Sequence, residues 1–128
     1  MKVLFLPNII EEYMNKSKSK FESGKELYKL GYYGDSISHF YYSMLLATRA
    51  LLFKKGIETK THKETINKLY ECYVDKGSFN EDIYKTFART QSLREKIDYD
   101  PTDNVSKTIA KQKLGHCESF LKEVEKHI

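Results

Sequence analysis

A chain of 128 residues, 40% apolar and 31% charged, is long enough for one hydrophobic core and too short for two; ten Tyr and seven Phe exclude a disordered polypeptide. Two Pro and six Gly leave little material for the tight turns of an all-β sandwich or barrel, so the composition points to long helices. The net charge of +4 lies wholly in residues 1–64, which carry 11 Lys/Arg against 7 Asp/Glu. That bias is compatible with a polyanionic partner and equally with solvated, Lys-rich helix faces.

Cys72 and Cys117 signal no disulfide framework in a chain that can hold itself together by apolar packing, and a reducing cytoplasm is the expected location. The Val3-Leu4-Phe5-Leu6 run stops at Pro7, too short for a signal-peptide core, and no stretch approaches the ~18–20 apolar residues of a membrane span.

The apolar spacing predicts five helices in a single domain over residues 1–128. The first runs from about Asn8 to Leu30, its stripe of Ile9, Ile10, Tyr13, Met14, Phe21, Leu27 and Tyr28 interrupted near Ser17 and Gly24, with Gly31 as its stop. The second runs from Gly34-Asp35 to Lys55 and sets Ile37, Phe40, Tyr41, Met44, Leu45, Thr48, Leu51 and Leu52 on one face. Lys54 and Lys55 put positive charge at the negative end of its dipole, before Gly56.

Thr61-His62-Lys63-Glu64 has capping-box spacing and opens a short third helix, with Ile66, Leu69, Tyr70, Tyr73 and Val74 inward and Gly77 as its stop. Ser78-Phe79-Asn80-Glu81 repeats the spacing and opens a fourth helix reaching about Asp98. Pro101 breaks the chain after Asp100, and Thr102-Asp103 starts a fifth, with Val105, Ile109, Leu114, Cys117, Leu121, Val124 and Ile128 on one face. Short connections between long amphipathic helices favour antiparallel neighbours, which makes an all-α, up-and-down bundle; the two longest helices are expected among the first, second and fifth.

The fourth helix breaks its own pattern. Ile83 and Phe87 set an inward face, and the same steps then reach Thr90, Arg94 and Asp98. Arg94 and Asp98 are one turn apart and point the same way. One reading is a surface salt bridge worth ~0.3–0.5 kcal/mol. The other is a polar pocket in which a permanently charged guanidinium, held by a carboxylate, addresses phosphate, with Tyr99 and the Tyr41 or Tyr42 hydroxyl beside it.

Four blocks carry a resemblance to a known family: Gly34-Asp35-Ser36-Ile37-Ser38-His39-Phe40-Tyr41-Tyr42-Ser43-Met44; Ala50-Leu51-Leu52 with Gly56; Lys60-Thr61-His62-Lys63; and Leu93-Arg94 with Asp98-Tyr99. Over roughly residues 20 to 125 the chain resembles the HEPN domains, and more narrowly the small stand-alone HEPN proteins of uncharacterised function in bacteria and archaea. The resemblance implies a helical bundle that self-associates as a homodimer. In catalytically active members it implies a metal-independent ribonuclease built on an Arg and a His spaced Arg-x4-6-His.

This chain lacks that pair. With four to six residues between, Arg94 is followed by Tyr99, Asp100 and Pro101; Arg89 by Arg94, Glu95 and Lys96; Arg49 by Lys54, Lys55 and Gly56. Arg94 therefore corresponds to the family arginine, with Asp98 and Tyr99 as substitutes for the missing histidine, although an ordinary Asp near pKa ~3.9 and Tyr near ~10 are poorly matched to proton transfer at pH 7. Candidate binding residues are Tyr41, Tyr42, His39, His62 and Lys63; each also has an ordinary structural role open to it, the tyrosines as core aromatics. No Cys/His grouping has zinc spacing and no phosphate-binding Gly-rich loop is present, so neither a metal nor a cofactor is implied.

Two functions stay open. The chain is a non-catalytic module binding RNA, a nucleotide or a partner protein, in a toxin–antitoxin pair with a minimal nucleotidyltransferase; by resemblance such partners adenylylate a Tyr near the HEPN motif, and Tyr99 is the nearest. Alternatively it is a ribonuclease using Arg94 with a non-standard proton carrier.

Overall fold

The structure, a computed structural model, describes residues 6–102 and 104–128, with side chains from Asn8 onward. Val3, Leu4 and Phe5 of the N-terminal run, and Asp103 of the expected fifth start, lie outside the described residues. Five helices follow in order: α1 Leu6–Lys29, α2 Tyr33–Lys54, α3 His62–Leu69 continued by a π-helical turn at Tyr70–Val74, α4 Glu81–Tyr99 and α5 Lys107–Glu125. The architecture is all-α, and α1 and α2, with 24 and 22 residues, are the longest helices. Among the described residues no helix is long and apolar enough to cross a membrane.

Helix α2 is the axis of the bundle and packs against the four others. Its face of Ile37, Phe40, Tyr41, Met44, Leu45, Leu51 and Leu52 is buried to within 1%. Against α1 the approach is close because two serines replace bulk: Ser17 Oγ donates to the Ser43 carbonyl at 2.6 Å and Ser43 Oγ donates to the Ser17 carbonyl at 2.7 Å. Those bonds satisfy both hydroxyls inside the interface, where an unpaired polar group would cost about 1–3 kcal/mol.

Helices α1, α2, α4 and α5 alternate in direction. Tyr41 stacks on Phe87 of α4 at 5.8 Å, and Phe87 meets Phe120 of α5 at 5.1 Å. The third helix runs beside α2 in the same sense. His62 at its start packs on Tyr41 and Tyr42, whereas the Tyr73 hydroxyl near its end donates to the Leu51 carbonyl at 2.7 Å. Residues 55–61 carry the chain back along α2 before α3 begins.

Three boundaries differ from the sequence expectation. Helix α1 starts at Leu6, with Pro7 in the first turn, where a missing N–H costs nothing. Helix α4 is capped by Asn80, whose side chain accepts from the Ile83 N–H, and not by Ser78. Phe79 is buried against Phe120 and the Asn80 N–H donates to Glu123, so the chain is still extended there; the Ser78 hydroxyl donates instead to the Tyr73 carbonyl. Helix α5 is capped by Ser106. Thr102 lies in a turn, its N–H and hydroxyl both donating to Asp100 Oδ1, and residues 104–106 are not helical, so it stands too far before Lys107 to cap α5.

Burial also shifts two faces. Tyr70, expected inward, is 38% exposed and pairs with Tyr84 near the surface. In α5 the buried stripe is Ala110, Lys113, Cys117, Phe120, Leu121 and Val124, which leaves Ile109 and Ile128 exposed.

Candidate functional site

The break in the α4 pattern lies against the α2 tyrosines. Thr90 is fully buried and bonds the Thr86 carbonyl, so the stripe set by Phe87 continues inward for one more turn. Arg94 comes next: its side chain is only 14% exposed, and its guanidinium carbon lies 5.0 Å from the centre of the Tyr41 ring and 5.5 Å from that of Tyr42. Both distances are within cation–π range. Its Nη1 donates to Asp98 Oδ2 at 2.6 Å, and Asp98 is about half exposed, so the pair closes the cluster toward solvent.

The two rings themselves meet edge to face at 5.4 Å, which holds them as one platform. Tyr41 is entirely buried and anchored to the core through Phe87. Its hydroxyl and the Nε of Arg94 are buried without hydrogen-bond partners among the described residues. Burial pushes the Tyr41 phenol well above its ordinary range despite the opposing pull of Arg94, so the hydroxyl keeps its proton.

A histidine arrives from another helix. The His62 ring lies 5.5 Å from Tyr41 and 5.7 Å from Tyr42, carried there by the return of residues 55–61 and fixed by the Thr61 cap, whose oxygen accepts from the Glu64 N–H. Burial lowers the His62 pKa, and the positive charges of Arg94 and then Arg49 lower it further, with Glu95 opposing. At neutral pH the ring is unprotonated and can accept a proton.

The structure thus gathers Tyr41, Tyr42, His62, Arg94 and Asp98. Tyr99, expected in the same pocket, is 86% exposed: it follows Asp98 by one residue, a rotation of about 100° that turns it off the inward stripe. Lys63 is exposed beside His62. His39 belongs elsewhere, at the α1 seam, where a Cβ on Gly24 would come within 3.3 Å of its own Cβ; its Nδ1 is buried and unpartnered, and burial followed by Lys20 lowers its pKa. Arg49 is not among the candidates that the sequence offers. It lies two turns after Tyr42 on the same side of α2, its Nε is buried and unpartnered, and its charge acts on both Tyr41 and His62. The seven-residue step from Tyr42 was the signal available for it.

Residues 10–127 match the HEPN domain family. A UPF0332 protein of Archaeoglobus fulgidus is 31% identical over 116 residues, spanning 91% of this chain and 92% of the relative. A Methanocaldococcus jannaschii protein named as a candidate toxin is 24% identical over 119 residues, spanning 93% of this chain and 81% of its own. A UPF0332 protein of Pyrococcus horikoshii is 33% identical over 82 residues, 64% of this chain and 57% of the relative.

Proposed function

The chain belongs to the HEPN domain family, and from that premise we propose that it is a phosphate-recognising module of the family, which binds RNA or a nucleotide without cutting it. The observation that carries this reading is the Arg94 cluster. A guanidinium stacked on two rings and held by one carboxylate is oriented before any ligand arrives, and the unpaired Arg94 Nε and Tyr41 hydroxyl beside it are donors short of an acceptor. Each such buried donor costs about 1–3 kcal/mol. A phosphoryl oxygen is an acceptor of the right charge. The absence of Arg-x4-6-His spacing supports binding over cleavage.

The relative named as a candidate toxin supports a place in a toxin–antitoxin pair. In this reading the chain acts in the cytoplasm as a homodimer, with a minimal nucleotidyltransferase as partner; light scattering that returns the 15.1 kDa monomer across micromolar concentrations would remove the dimer.

One observation favours the second reading, a metal-independent ribonuclease. His62 stands on the same tyrosine platform as Arg94 and is neutral at pH 7, so a proton acceptor reaches the arginine from α3 where the local motif offers none. A single assay separates the two. Fluorescently labelled single-stranded RNA is titrated with purified protein, for anisotropy and for cleavage, beside Arg94→Ala and His62→Gln. Binding without cleavage, lost in Arg94→Ala with helical circular dichroism intact, is the expected result. Cleavage lost in both variants establishes the ribonuclease, and no binding of RNA or mononucleotide rejects both.

A further inference from the structure

A basic cavity lies at the end of the bundle away from Arg94. Lys54 stands thirteen residues after Tyr41 on α2, ~20 Å along the helix axis. There Lys54, Lys55, Tyr73, Ser78, Lys126 and His127 line one cavity of about 480 Å³, within the size range of small-ligand pockets. The π-helical turn after α3 forms one wall. It is closed by the Asp75 N–H, which donates to the Tyr70 carbonyl at 2.8 Å, and it sets Tyr73 so that its hydroxyl reaches the Leu51 carbonyl at 2.7 Å while its own carbonyl accepts from the Ser78 hydroxyl at 3.0 Å. Such turns are rare and recur at functional sites.

His127 is held on two sides, its ring centre 5.6 Å from that of Tyr73 and 6.0 Å from that of Phe79. Its Nε2 is enclosed and has no hydrogen-bond partner among the described residues. The lysines of α2 are tied to the same rings: Lys54 Nζ donates to the His127 carbonyl, and Lys55 Nζ lies 4.6 Å from the centre of the Tyr73 ring. Carboxylates do not balance them. Lys54 and Lys55 make no ion pair among the described residues. Lys126 pairs with Glu123 at 3.1 Å, and the other oxygen of that carboxylate accepts from the Asn80 N–H at 2.8 Å. Lysines at helix ends also answer the carbonyl ends of the helix dipoles, but α2 and α5 present only about half a negative charge each. Three ammoniums therefore outweigh one committed carboxylate and two dipole ends, and the cavity is left with positive charge to spare.

We propose that this cavity binds a phosphoryl group through Lys54, Lys55 and His127, at a site separate from the Arg94 cluster. A carboxylate offers two coplanar oxygens, whereas a phosphoryl group spreads three around its phosphorus, which suits donors that arrive from α2 and from α5. Each ammonium brings three donors on a flexible stem, and the His127 Nε2 adds one fixed in direction by its ring contacts. The group comes either from an RNA backbone or from a small phosphorylated molecule, and the same chemistry serves both.

The test is a titration of the intact protein with inorganic phosphate, and in parallel with a 12-nucleotide single-stranded RNA, at constant ionic strength, followed by amide and histidine-ring NMR shifts. Saturable shifts centred on His127, Lys55 and Ser78 are expected. They should weaken roughly tenfold in His127→Phe, which keeps a ring against Tyr73 and Phe79, and in Lys55→Gln, the effect of losing one charge-assisted hydrogen bond. Lys55 is exposed, so that variant keeps the test open should the ring variant fold poorly. Binding at this site should survive in Arg94→Ala and in Lys111→Gln, an exposed lysine near the other end of α5 that controls for net charge. Saturation at far lower RNA than phosphate concentration identifies a strand as the source; a response to phosphate alone identifies a small molecule. The proposal falls if neither ligand gives saturable shifts at the cavity, if Lys55→Gln and His127→Phe both leave them unchanged, or if Lys111→Gln weakens them as much as Lys55→Gln does.

Discussion

The guanidinium of Arg94 faces the Tyr41 ring at 5.0 Å while its Nη1 is bonded to Asp98, so one side chain of α4 joins an ion pair on its own helix to an aromatic platform on α2. Arg94→Ala removes both ring contacts and leaves the Asp98 carboxylate alone. Desolvated cation–π contacts are worth ~0.5–2 kcal/mol and an i,i+4 pair ~0.3–0.5 kcal/mol. The variant should lose about 1–2 kcal/mol in urea unfolding and keep its helical signal. Arg94→Lys should recover only part of this, because an ammonium does not stack flat on a ring.

Acidification should destabilise the fold. The pKa values of His39, His62 and His116 are all lowered, in each case first by burial. An unfolded histidine takes up a proton near pH ~6.5, above the folded values, so stability is fully present above that pH and is lost as pH falls through the folded pKa. The melting temperature should therefore drop between pH 7.5 and 5. In Arg94→Ala the His62 ring should titrate at higher pH than in the wild type, because a repelling cation is gone; an unchanged His62 titration by NMR would separate the two residues electrostatically.

Tyr41→Phe deletes a buried hydroxyl that has no partner and keeps every ring contact. Removing an unsatisfied polar group should raise stability by about 1 kcal/mol. If the hydroxyl serves a phosphate, the same variant binds RNA or nucleotide more weakly, so thermal melting and anisotropy should move in opposite senses.

Two helical glycines should respond oppositely to alanine. A Cβ on Gly24 would lie 2.6 and 2.8 Å from atoms of the buried Phe40 ring, and Gly24→Ala should cost ~1–3 kcal/mol by overpacking the α1–α2 seam. A Cβ on Gly115, in the exposed middle of α5, meets nothing within 4 Å, and Gly115→Ala should stabilise by ~0.5–1 kcal/mol. Denaturant midpoints of the two variants check both signs.

Local periodicity by itself determined the five helices, the inward face of α2 and the Arg94–Asp98 pairing, because each depends on steps of three or four residues along one helix. The same reasoning marked Gly24 as a gap in the α1 stripe, and the gap is where Phe40 enters. The two misassigned caps share a cause: Ser78 and Thr102 have capping chemistry, but Phe79 burial and the Asp100 side chain commit those residues elsewhere. Only the tertiary structure decided which groups from different helices share a site. His62 reaches the tyrosines because residues 55–61 return along α2, and Tyr99 is excluded by one step of helical rotation. Such meetings depend on the path of connections and the rotation of one helix against another, which spacing within a single helix does not encode.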